Sequence, residues 1–185
     1  ESNIPPLQVC AGDSSIDEAH GLSDAHKQAR EEGAAKNAAV VVWGSKIRNE
    51  RFAPRITIVP STTQAGDQTL KIKPLREVEL PADLLEQPIY FAHVLQGIIC
   101  YTKHDYTNAL SHLQRGFSSK HADSDDIAGL QLVMGVIHLN MAQSSTNQFL
   151  LLREATNELA QATEYYEIKK QTKEYSAAIG FLGYA

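Results

Sequence analysis

The hydrophobic pattern of the chain changes period near residue 81. Before it, short β-branched runs are separated by turn residues; after it, apolar residues recur three and four apart almost to the end. In the first part, "LQVCAG" (7–12) reads as a short strand and "SDAHKQAREEGAAK" (23–36) as a helix. Ser23 or Asp24 is placed to cap that helix, and Gly33 weakens its end. The run "AAVVVWGSKI" (38–47) is continuously apolar and rich in valine, which suits a central strand covered on both faces. "RITIV" (55–59) and "TLKIK" (69–73) alternate as half-buried strands do, with "NERFAP" (49–54) joining the first of these to the valine run. "PSTTQAGDQ" (60–68) has loop composition, and "LREVELP" (75–81) is either a further short strand or an extended linker. Together these elements predict a small α/β layer. Its single helix covers one sheet face, and the helical half is the nearest cover for the other.

The second part predicts helices over about 89–103, 106–118, 126–142 and 149–166, with a fifth beginning in "TKEYSAAIGFLGYA". Pro88 interrupts or restarts the first of them, because proline removes a helix hydrogen bond. "HDY" (104–106) makes the turn, and Tyr106, Leu110, Leu113 and Phe117 form one stripe of the next helix. The fold class is therefore α+β, with residues 1–80 a small α/β domain and residues 81–185 a run of antiparallel helix pairs.

Gly97 sits in the middle of an apolar helix, and Ala109 lies at the heart of the next. Small residues at such places let two helices approach closely. Gln96-Gly97 followed by Ala109-x3-Leu113, with Gly116 a turn further, resembles the Leu-Gly and Ala-x3-Phe signatures of the tetratricopeptide repeat. Met134-Gly135 followed by Ala155-x3-Leu159, with Ala162, repeats the arrangement, and Leu182-Gly183-Tyr184 begins it again. The resemblance covers about residues 89–185 and implies an α-helical solenoid of about two and a half repeats. Cys100 and His138 stand where the signature has an aromatic residue. The glycines Gly97 and Gly135 are 38 apart against about 34 in the repeat, and the second pair holds eight extra residues between its small-residue positions. A generic helical bundle carries the same letters without the repeat geometry. Gly33-Ala34, Val40 to Gly44 and Leu80-Pro81 also resemble the α/β segment that precedes the repeats in some bacterial repeat proteins, which include sensor arms of signalling proteins.

Composition narrows the function classes. The apolar fraction is 43% and the charged fraction 21%, as in folded globular chains, and a net charge of −5 disfavours nonspecific phosphate binding. No apolar run approaches the roughly 20 residues of a membrane-spanning helix, and a cytoplasmic protein is expected. The chain begins without Met, so an upstream segment is expected to have been removed, and the unpaired last helix is expected to be part of a longer array. Cys10 and Cys100 do not make a disulfide framework.

Candidate chemistry is sparse. "GSK" (44–46) lacks the frame of a phosphate loop, and no nucleophile-elbow, zinc-helix or paired-cysteine motif occurs. Cys100 and His104 are four apart, as metal ligands are on a helix, but a core cysteine beside a turn histidine explains them better. His20 and His26 read as solvated histidines, Asp123, Asp125 and Asp126 as helix-capping residues, and Lys46, Arg48, Arg51 and Arg55 as a basic hairpin. The expectation is a non-catalytic protein without metal or cofactor. What the repeat resemblance implies is a groove lined by the first helix of each pair, here Phe91, Val94, Ile98, Tyr101, Leu132, Val136, Leu139 and Asn140. So apolar a groove takes a hydrophobic segment of a partner protein or is filled by the α/β half. Self-association through the last helix is the other expected contact, and nucleic acid and membranes are not expected partners. The alternative is a regulatory or ligand-sensing fragment of a larger signalling enzyme.

Overall fold

A computed structural model of the chain describes residues 12, 15–46, 52–59, 77–79, 87–119, 124–168, 170 and 172–183. It is mostly helical with a small antiparallel sheet, an α+β arrangement. The elements are α1 (Leu22–Ala35), β1 (Val40–Lys46), β2 (Phe52–Ile58), β3 (Glu77–Glu79), α2 (Pro88–Thr102), α3 (Tyr106–Ser119), α4 (Ser124–Ala142), α5 (Gln148–Ile168) and α6 (Thr172–Leu182). The strands expected at 7–12, apart from Gly12, and at 69–73, the residues Cys10, Arg48 and Arg51, and the 60–68 loop lie outside the described residues.

Helix α1 starts one residue earlier than its pattern suggests. Gly21 caps it at φ 100°, a left-handed conformation open to glycine, and neither Ser23 nor Asp24 makes a capping bond. Its C-terminus closes as a Schellman motif. Asn37 takes φ 53°, its amide donates to Ala34 O at 3.1 Å, and the Ala38 amide donates to Gly33 O at 2.8 Å. Gly33 does more than weaken the helix end. A methyl group there would lie 2.5 Å from Val59 Cγ2 and 2.6 Å from Val41 Cγ2, so its bare backbone lets α1 settle onto the sheet.

The sheet order is β1-β2-β3, all antiparallel, so β2 is the central strand among the described residues and β1 pairs only with β2. The expectation of a central valine strand is corrected: Val42 is exposed. Register pairs Val41 with Thr57 and Trp43 with Arg55, which puts these four on one face. Trp43 and Val41 pack there with Ala25 and Ala29 of α1. Val40, Val42, Ile56 and Ile58 take the opposite face, and Ile56 and Ile58 belong to the same buried cluster as the residues of α2 to α6. The main core thus crosses the boundary expected near residue 81.

In the helical half each helix packs on the next, most closely α2 with α3 and α4 with α5. Pro88 occupies the first turn of α2, where its missing N–H costs no hydrogen bond. Gly97 lies against Ala109 and Leu113, while Gly116 lies against Tyr90 and His93, so α2 and α3 run antiparallel. A methyl group at Gly97 would stand 2.6 Å from Leu113 Cγ and 3.2 Å from Ala109 O. At Gly135 the distances are 2.7 Å to Leu159 Cγ and 3.4 Å to Ala155 O, the same crossing made again. The eight extra residues of the second pair are absorbed as two at the end of α4, two in the loop and four at the start of α5. Phe117, expected on the buried stripe of α3, is instead exposed near its C-terminal end, while Leu110 and Leu113 are buried.

Candidate functional site

The eight residues expected to line a groove come together, but inside the protein. Tyr101 is 8% exposed, Leu139 2% and Val136 0%; Val94, Ile98, Leu132 and Asn140 are also buried, and Phe91 is half-buried. Helix α4 explains this. From Leu130 to Asn140 every residue is buried except Gln131 and Met134, which are half-buried, so the helix is enclosed nearly all round. Asn140, the one polar member of the set, turns back on its own helix and donates Nδ2–H to Val136 O at 2.8 Å. An open concave surface made of these side chains is not what the structure contains. Val94, Ile98, Tyr101, Leu132, Val136 and Leu139 join the cluster that includes Ile56 and Ile58 of β2, with Phe91 packed against it, so the α/β half takes part in the same core.

Polar groups converge at three other places. Beneath α1, His26 is 1% exposed, not solvated, while His20 is exposed in the turn before the helix. Thr57 Oγ1 accepts the indole N–H of Trp43 at 2.7 Å and lies 2.7 Å from His26 Nδ1. The other imidazole nitrogen, Nε2, is 3.7 Å from Glu77 Oε2, and Arg30 donates to Glu77 Oε1 at 3.3 Å. Trp43 stacks edge-on to His26 at 4.9 Å and carries the Arg55 guanidinium 5.4 Å above its ring, while Arg55 donates to Glu18 at 2.6 Å. The knot joins α1 to all three strands. Its polar atoms pair with one another, and it holds the layer together. Only one signal for it stood in the sequence: Thr57 alternates with Ile56 and Ile58, so it faces the helix-covered side of the sheet. Glu77 is brought in from a separate strand and left no such trace.

Between α4 and α5, His138 Nδ1 lies 2.7 Å from Glu158 Oε2, both largely buried. The side chain that replaces the signature aromatic is thus held across the helix pair by a carboxylate. Gln131 and Gln161 hydrogen-bond across the same pair.

Between α2 and α3, His93 and His112 bring their Nδ1 atoms to 3.4 Å, with ring centroids 5.7 Å apart and planes at 36°. His112 is buried, and its pKa is lowered below the ordinary histidine value chiefly by that burial, then by His93 and Arg115, with Asp105 opposing. The neutral imidazole is therefore its favoured form. At the end of α2, Cys100 is a free, buried thiol whose pKa burial pushes up, with Asp105 adding and Lys103 opposing. His104 lies beyond the helix at φ 59° and meets the Tyr106 hydroxyl at 2.8 Å, so Cys100 and His104 do not share a helix face. Among the described residues no three metal-ligating side chains gather, and no helix is long and apolar enough to cross a membrane. The chain matches no family model, no curated protein and no solved structure.

Proposed function

We propose that the chain is a non-catalytic scaffold for protein partners, whose helical half is a short tetratricopeptide-like solenoid tied to an α/β layer. One observation carries this. The Gly97–Ala109–Leu113 crossing recurs as Gly135–Ala155–Leu159 with the same contacts, although the second pair has eight more residues. Helix pairs built alike and stacked in order are the unit of repeat scaffolds. The partner surface is then not the buried first-helix set. It is sought on side chains that the fold leaves outside, of which Phe149 is 82% exposed beside the exposed Leu150. Both sit in the four-residue extension of α5 that has no counterpart in α3.

Photo-crosslinking from position 149 tests the proposal in the source cell. A defined protein partner captured by the wild type, and lost when Phe149 and Leu150 are both replaced by Asp, is the expected result. An unchanged set of captured proteins in the double variant removes this surface. Catalytic turnover by the isolated chain would remove the scaffold function itself.

A further inference from the structure

We propose that the His93–His112 contact is an acid-released latch: one hydrogen bond ties α2 to α3 at neutral pH, and the two rings repel each other once both are protonated.

The contact has room for one hydrogen only. The Nδ1 atoms stand 3.4 Å apart and meet head-on from two helices, so one ring donates its N–H to the lone pair of the other. One proton added to the pair leaves that bond in place and charges it. A second removes the remaining lone pair and sets two imidazolium rings, their centroids 5.7 Å apart, against each other. The surroundings resist that charge at His112. Burial, His93 and Arg115 act against it, in that order, and Asp105 in the turn before α3 is the one carboxylate that favours it. Among the described residues no charged group of α4 acts on the ring. On the α2 side the Tyr90 phenol lies one turn before His93, and both meet Gly116.

With its pKa held below the ordinary 6.5, His112 refuses in the folded chain a proton that it accepts in the unfolded one. The stability tied to the neutral ring is complete above that value and drains away as pH falls below it. The latch sits at the end of the helix pair where Ile89 and Phe117 are already exposed and Tyr90 is buried. Its release uncovers Tyr90 and enlarges an apolar patch there. The second helix pair is built differently. His138 meets Glu158, so a protonated ring there faces a carboxylate and not a second cation.

The test is amide hydrogen exchange of the whole chain between about pH 7.5 and about pH 5, the range in which histidine titrates, corrected for the intrinsic pH dependence of exchange. On acidification, amides in the first turns of α2 and the last turns of α3 are expected to lose protection about three- to tenfold, as one lost hydrogen bond implies. Those of α4 and α5 are expected to keep theirs. His93→Gln leaves a single ionisable ring and is expected to abolish the local loss. Titration of His112 by NMR reads the coupling itself: in His93→Gln its midpoint is expected to move to higher pH. Protection lost evenly over all the helices, an equal local loss in wild type and variant, or an unmoved His112 midpoint each overturns the latch. Should His93→Gln fold poorly, wild type alone decides: loss at this end of the α2–α3 pair that follows His112 protonation is expected, and loss that starts elsewhere or does not follow it refutes the proposal.

Discussion

The same substitution, glycine to alanine, should have opposite effects at three helical positions of this protein. In open helix, alanine is the better residue by about 1 kcal/mol. Gly180 is such a case, since nothing lies within 4 Å of the methyl it would gain, and Gly180→Ala should stabilise by up to that amount. At Gly97 the methyl would meet Leu113 Cγ at 2.6 Å and Cδ2 at 2.7 Å, and at Gly135 it would meet Leu159 at 2.7 and 2.9 Å. Both leucines are 0% exposed, and the nearest atom is the branch point rather than a free end, so neither can swing aside without moving the helix. Overpacking of that kind costs about 1–3 kcal/mol. Set against the propensity gain, Gly97→Ala and Gly135→Ala should each lose up to about 2 kcal/mol, a fall in melting temperature of about 2–4 °C per kcal/mol at this chain length. Ala109→Leu, which loads the same crossing from the other helix, should lose about 1–3 kcal/mol. Urea denaturation followed by circular dichroism measures all four. Combining Gly97→Ala with Leu113→Ala adds a sharper check. Leu113→Ala alone should cost about 2–5 kcal/mol through the cavity it leaves, and the new methyl should recover part of it, so the double variant loses less than the two singles added. If Gly97→Ala and Gly135→Ala stabilise as Gly180→Ala does, the close crossing of the helix pairs is wrong.

Two further outcomes rest on other contacts. Thr57→Val leaves the Trp43 indole N–H and His26 Nδ1 without their shared hydroxyl, a loss of about 1–3 kcal/mol that the emission of the only tryptophan should report on denaturation; unchanged stability would mean the knot holds nothing together. Burial raises the pKa of Cys100 from 9.0 and that of Tyr106 from 10.0, so both favour their protonated forms in the folded chain. The stability they contribute is complete below those values and is lost as pH rises through the raised ones, so stability should fall from about pH 9 upward, less steeply in Cys100→Ala and Tyr106→Phe; equal slopes in wild type and variants would refute the assignment.

The helices were legible because their period is a property of neighbouring residues. Positions three and four apart share a face whatever the rest of the chain does, so α2 to α5 fall within two residues of where the apolar spacing puts them. The crossings were legible for a related reason: two backbones approach closely where both lack bulk, and Gly97 with Ala109 marks such a place in the letters alone. What a face is buried against is not local, and there the sequence left two readings open, a partner segment in the groove or the α/β half filling it. Tyr101, Val136 and Leu139 have the pattern of a groove lining, yet Ile56 and Ile58, some eighty residues before Val136 and Leu139, belong to the same core. Phe117 has the spacing of a core residue, yet it lies at the end of α3, beyond the reach of the packing that covers Leu110 and Leu113. His26 looks like any polar residue near a helix start until Thr57, Trp43 and Glu77 arrive from three strands to surround it. Periodicity assigns a side chain to a face of its own element, but only the chain's return from a distance decides whether that face meets water or protein.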